Sequence, residues 1–244
     1  MFTLFIKEVT GFLNSLTGYI VIAVFLLVNG LFLWVFPIES NIIDYGYANL
    51  DGLFLIGPFV FLFLIPAITM KFFAEEKKSG TIELLMTKPL TDMQVILAKY
   101  FAGVVLVILS VLPTLIYFYS VYQLGAPKGN IDTGGMWGSY IGLMFLGASF
   151  VSIGLFSSSI TDNPVISFIV AVALSGFIYL GFDFIYSLDF FGNFDLFIKT
   201  LGINNHYGAM SRGVIDTRDA LYFLSLITLF LLMTKMSLES RKWG

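Results

Sequence analysis

Cysteine is absent, and histidine occurs once, at His206. The first absence removes disulfides, thiolate zinc sites, iron–sulfur clusters and cysteine nucleophiles. The second excludes a multi-histidine metal site. Charge is scarce as well: Asp, Glu, Lys and Arg make up 12% of the 244 residues, where soluble domains run at about 25%. Thirteen basic residues and a net charge of −3 provide no basic stripe for a phosphate backbone, so nucleic acid is not an expected partner. No Walker phosphate loop occurs, so the chain is not expected to hydrolyse ATP, and no cofactor is expected on it. Apolar residues, by contrast, reach 58%, with a mean hydropathy of +0.91. One compact core cannot hide that much apolar surface, and the bilayer is its natural solvent.

The apolar runs predict an all-α polytopic membrane protein, a single transmembrane domain over 1–244. Residues 2–15 alternate bulky apolar side chains with Lys7, Glu8 and Asn14, the pattern of a short interfacial helix. Span 1 covers about 19–36 and ends at Pro37. It is too long for a signal-peptide core, and Phe36-Pro37-Ile38-Glu39 is no small-residue cleavage site, so the run is expected to stay as a span. Span 2 covers 53–73, with Pro58 and Pro66 predicting kinks or ends. Thr91 and Gln94 form a capping box for a helix from Asp92 to about Tyr122 (span 3 proper, 96–122), which Pro113 is expected to kink. At roughly 45 Å that helix exceeds the roughly 30 Å hydrocarbon core. Its first turns, with Asp92, Gln94 and Lys99, are therefore expected to project into the cytoplasm.

Span 4, 137–160, carries Gly138 and Gly142 at GxxxG spacing, then Gly147, Ala148, Ser149 and Gly154. Such a small-residue face permits close helix packing, expected here within the subunit. Asn163 caps span 5, 164–182, with Pro164 at its first position. Residues 183–218 have apolar runs too short to span and predict short interfacial or re-entrant helices. Span 6, 219–236, precedes Arg241-Lys242-Trp243.

Six spans place both termini on one side. Lys7, Lys71, Lys77, Lys78, Lys88, Lys99, Lys235, Arg241 and Lys242 fall on that side, nine of the 13 Lys and Arg. Only Lys128, Lys199, Arg212 and Arg218 fall on the other, and the 37–52 loop is purely acidic. By the positive-inside rule the termini and the loop after span 2 are cytoplasmic.

No span carries a charge near its middle, which argues against ion-coupled transport. Glu75-Glu76 is a poor match to the paired glutamates of CAAX-type intramembrane proteases. The arginine and histidines they work with are missing here. His206 reads as a hydrogen-bonded loop residue, and Arg212 and Asp216 as an ion pair or cap. The positive signal is 75–91. Gly80 is placed as N-cap and Glu83 as its N3 partner. Thr81–Met86 forms a helix, and Pro89 closes it at Lys88. Ile82, Leu85 and Met86 share one face by i, i+3, i+4 spacing. That face is expected to be exposed, fitting an apolar groove on a cytosolic partner whose motion would tilt spans 2 and 3. Without such a partner, the stretch is an ordinary basic loop.

Glu76, Gly80-Thr81-Ile82-Glu83-Leu84-Leu85 and Pro89 resemble the Gly-Thr-x-Glu-x-Leu signature of the ABC-2 type permeases. Lys88 stands where many exporters carry an uncharged residue. Longer strings resemble the gliding-motility-associated permease subunits of Bacteroidota: Asn29–Phe36, Phe73–Thr81, Tyr122–Gly125, Gly129–Gly134, His206-Tyr207 and Ser211–Asp219. The resemblance implies a subunit of an ABC exporter working with a cytosolic ABC ATPase, which carries the ATP and Mg. It implies a companion membrane subunit of the gliding complex, and a second permease copy or homologue, since six spans are half of a full transporter. It places the protein in the bacterial inner membrane and maps Glu76, Gly80–Met86, Lys88 and Pro89 onto the ATPase-contacting coupling helix. A membrane anchor for an ATPase-driven assembly, across which nothing moves, is the competing expectation.

Overall fold

The computed structural model describes residues 1–87, 89–190 and 192–240. It is helical throughout, with no strand among the described residues. Six segments there are long and apolar enough to cross a membrane: Leu16–Trp34, Asp51–Lys78, Asp92–Leu124, Thr133–Ile160, Pro164–Ser187 and Thr217–Ser240.

In chain order, α1 (Phe2–Leu13) precedes α2 (Leu16–Trp34). Ser15 caps α2 through its hydroxyl, 3.2 Å from the Gly18 amide, so the helix starts before Tyr19. A short α3 (Ile42–Tyr45) leads to α4 (Asp51–Thr69). Pro58 and Pro66 lie inside α4 without ending it. The helix stops instead at Thr69, ahead of the expected 73, and a turn leads to α5 (Ala74–Lys78) and α6 (Thr81–Met86). The break has a cause in the tertiary structure. Helix ends leave backbone donors unpaired, and Ser158 Oγ takes the Phe73 and Ala74 amides at 2.7 and 3.1 Å.

Thr91 and Gln94 close the expected capping box of α7 (Asp92–Val111). Pro113 turns Leu112–Thr114 into a 3-10 segment, and the span resumes as α8 (Leu115–Leu124). Asp132 caps α9 (Thr133–Ile160), accepting the Gly135 amide at 2.9 Å. Asn163 caps α10 (Pro164–Gly176) as expected. A π-helical stretch, Phe177–Gly181, carries it on into α11 (Phe182–Ser187), so span 5 runs past 182. The 183–218 segment holds the short helices α12 (Asp195–Thr200) and α13 (Ile203–Met210), and α14 (Thr217–Ser240) is span 6.

The axis of the bundle is α9. Of its most apolar stretch 78% is buried, against 28% in α2, 22% in α10–α11 and 33% in α14. The last three therefore keep an open apolar face for lipid. The glycine face of α9 works inside the chain, as expected. Gly138 lies against the backbone of Gly213, Gly142 against Met210 and Gly154 against Thr69. No side chain fits at these approaches, so glycine is what lets the helices meet.

The short helix α13 is wedged into the bundle rather than laid on its surface. Ile203, Tyr207 and Met210 are buried. The Tyr207 hydroxyl donates to Phe54 O at 2.7 Å, and Ser139 Oγ donates to Ser211 O at 2.8 Å. Burial raises the Tyr207 phenol well above its ordinary pKa, with nearby Tyr179 adding to the shift. It therefore stays a neutral donor to that carbonyl.

Candidate functional site

Two places gather polar chemistry, one at each end of the bundle. At the end opposite to α5 and α6, a cleft of about 540 Å³ is lined by Glu39, Asn41, Asp51, Asn204, Tyr207 and Arg212 among others. His206 is close by, on α13 rather than in a loop. Its Nδ1 lies 2.7 Å from Asp219 Oδ1 and its Nε2 2.8 Å from Thr200 O. Its ring stacks on Tyr222 at 3.9 Å. Both ring nitrogens are taken, so the imidazole is structural. Asp216 acts as a cap, accepting the Arg218 amide at 2.9 Å. Arg212 Nε donates to Gly208 O at 3.0 Å. Among the described residues no group of His, Asp and Glu is arranged to hold a metal ion.

The other end brings together α1, the turn after α4, α5, α6 and the first turns of α7. The α5–α6 joint is an elbow. Gly80 bends it with φ +71°, a left-handed conformation that costs glycine nothing. This is not the extended backbone of an N-cap, and the half capping box expected with Glu83 is replaced by a hydroxyl staple. Ser79 Oγ donates to Glu75 O at 2.8 Å and lies 2.9 Å from Thr81 Oγ1. Thr81 Oγ1 in turn reaches Glu76 O at 3.4 Å. Lys77 Nζ donates to Ser159 O, and Ser237 Oγ of α14 donates to the same carbonyl at 3.0 Å. The elbow is thus pinned to the end of α9.

The spacing of Ile82 and Leu85 correctly puts them on one face of α6, but that face points inward. Ile82 is 2% and Leu85 7% exposed, and both belong to the core. The expectation that the Ile82, Leu85 and Met86 face is exposed is therefore corrected for Ile82 and Leu85. A helix this short is marginal alone, and burying two aliphatic side chains, about 1.5–3 kcal/mol each, is what holds it. The outward face presents Thr81, Glu83, Leu84, Thr87 and, beyond the helix, Pro89. Leu84 is 68% exposed, a large apolar side chain at the tip of a charged region. Lys88 and the Met86 side chain lie outside the described part, as do residues 241–244.

Two further corrections concern charge. Lys99 was expected to project into the cytoplasm, yet it is 1% exposed. Glu76 was expected on the docking face, yet it turns inward. Lys99 Nζ lies 2.8 Å from Glu76 Oε1 and 3.0 Å from Glu8 Oε1. Its ammonium also faces the rings of Phe73 and Phe72, at 5.4 and 5.9 Å from their centroids. The overhanging first turns of α7 are covered by α1 and α5, so the lysine is enclosed rather than solvated. Sequence reasoning missed this triad. Its one trace is a lysine set among Val95, Ile96, Ala98, Tyr100 and Ala102, all buried residues of α7. That is an expensive place for a charge without partners.

An elbow between spans 2 and 3, in a six-span helical chain, is the arrangement that the sequence resemblance implies. The model of the ABC-2 family transporter proteins matches residues 2–240. The chain belongs to this family. Membership and the six apolar segments make it a multi-pass membrane protein, a permease subunit of the ABC-transporter kind. No curated protein matches the chain.

Proposed function

We propose that this ABC-2 family member is the inner-membrane subunit on which a separate, cytosolic ABC ATPase acts. ATP and Mg would bind the partner, and both chain ends would lie in the cytoplasm with the α5–α6 elbow. The charge count supports that orientation. The observation that carries the reading is the outward face of α6. Exposed Leu84, flanked by Thr81, Glu83 and Thr87, stands on an elbow that Ile82 and Leu85 pack into the core and that the Ser79–Thr81 staple braces from within. A rigid post with one apolar tip suits a groove on a moving partner. A second permease, identical or homologous, would complete the transporter. The long sequence strings shared with gliding-motility permeases favour a role in that complex, beside its companion membrane subunit.

Leu84→Asp is the direct test, because Ile82→Asp or Leu85→Asp would unfold the elbow whatever its role. The substitution is expected to cut the co-purified ATPase about tenfold, a loss of about 1.4 kcal/mol, with the permease itself still folded. Recovery of the ATPase at wild-type stoichiometry would remove α6 as the docking element. ATPase turnover of the reconstituted complex, measured against lipids and polypeptides, separates export from a purely anchoring role. Stimulation by any of them supports export, and silence to all supports the anchor. The gliding assignment predicts that deleting the gene abolishes colony spreading, and unimpaired spreading would refute it.

A further inference from the structure

The elbow needs a lever, and α4 is not one. Its helix is broken between Thr69 and Ala74, so a push on α6 is not passed along span 2 as on a rigid rod. The firm links from the elbow run elsewhere. One goes to the end of α9, through Ser158, and through Lys77 to Ser159 O. The other goes through Glu76 to Lys99, and from Lys99 to Glu8. This second link ties three separate segments, α5, α7 and α1, to one ammonium group. Two carboxylates share one cation, and Lys99 donates to both. The lysine stem is enclosed and its head is fixed from two sides, which leaves it no alternative rotamer in solvent. At the far end of the link, α1 exposes Phe2 and Ile6, the apolar residues of an interfacial helix.

We infer that Lys99 is a positioning residue that joins the N-terminal helix, the elbow and the start of span 3 into one rigid lever. This rests on the docking role proposed for α6. A displacement of α6 then moves span 3 and the attached end of α9 and sweeps α1 along the lipid headgroups with them, while the broken α4 yields. Force from the ATPase reaches the inner leaflet directly, not only the spans.

The cysteine-free chain permits a direct test. Spin labels at Gly11→Cys on α1 and Lys78→Cys on α5 both sit on exposed positions. In full-length permease in nanodiscs, wild type is expected to show one narrow distance distribution. Glu76→Gln and Glu8→Gln each leave a balanced pair, and each turns one charge-assisted arm of the link into a weaker hydrogen bond to a neutral amide oxygen. Either is expected to broaden the distribution at least twofold, as is Lys99→Met where that variant folds. Glu75→Gln, an exposed neighbour outside the triad, is expected to leave it unchanged. The three-way swap Glu8→Lys, Glu76→Lys and Lys99→Glu again sets one charge between two opposite ones and is expected to narrow it again, which a purely steric role would not do. Unchanged width in both single glutamine variants overturns the proposal, as does failure of the swap to narrow it. These readings need no ATPase, so they are independent of the docking test. With the ATPase bound, a non-hydrolysable ATP analogue is expected to leave the Gly11–Lys78 distance fixed in wild type and to split it in Glu76→Gln. A wild-type distance that splits on nucleotide binding means that α1 and the elbow do not move together, and it too overturns the lever.

Discussion

Single residues carry unequal weight in this chain, and the asymmetry follows from which partner each leaves behind. Lys99→Met strands the Glu8 and Glu76 carboxylates against each other with no cation between them. Removing one member of a buried ion pair costs about 3–5 kcal/mol. Glu8→Gln removes a charge from a group that already has one carboxylate in excess, so its cost is expected to be far smaller. Thermal unfolding in detergent checks the order: a large fall in Tm for Lys99→Met and a small one for Glu8→Gln. Tyr207→Phe isolates another term. It leaves Phe54 O without the hydroxyl at 2.7 Å, and an orphaned buried acceptor costs about 1–3 kcal/mol. The expected result is a lowered Tm with the fold intact. A variant as stable as wild type would show that the carbonyl finds another donor.

At the scale of elements, the decisive contacts join segments far apart in the chain. The amides of Phe73 and Ala74 are satisfied by Ser158, on α9. Ser158→Ala is expected to raise the hydrogen-exchange rate across 70–77 without affecting α9, because two amides of the turn after α4 lose their shared acceptor at once. Unaltered protection there would mean that the break is held by packing alone. Gly154 gives the matching steric test. A Cβ at that position meets the Thr69 side chain, so Gly154→Ala is expected to lower Tm. Combining it with Thr69→Ala should recover part of the loss. Much at this scale was legible beforehand, because capping is local chemistry: Thr91–Gln94 and Asn163–Pro164 behave as their side chains dictate. The end of α4 was not legible, because prolines that look like breakers are tolerated within α4 while the true break depends on a serine on α9.

For the whole molecule, the open apolar faces of α2, α10–α11 and α14 and the enclosed α9 define which sides meet lipid. The absence of cysteine makes sidedness simple to measure. Ser79→Cys is expected to be shielded from an impermeant thiol reagent in intact cells and labelled after permeabilisation. Labelling of intact cells would reverse the proposed orientation.

Composition, hydropathy and local capping by themselves determined the class, the six spans and the place of the elbow. These depend on the length and spacing of residues close in sequence and on their transfer into a bilayer, and both can be counted along a chain. The same reading put Ile82 and Leu85 on one face of Thr81–Met86, but which way that face points is not a local property. It depends on whether neighbouring helices leave room to bury it, and they do. The tertiary structure alone decided that Leu84 is the exposed residue. It also decided that Glu76 turns inward, and that Lys99, apparently a solvated charge at a helix start, is the enclosed cation joining Glu8 to Glu76. The reason is that α1 and α5 come from other parts of the chain to cover the first turns of α7, and only their arrival gives that lysine its partners.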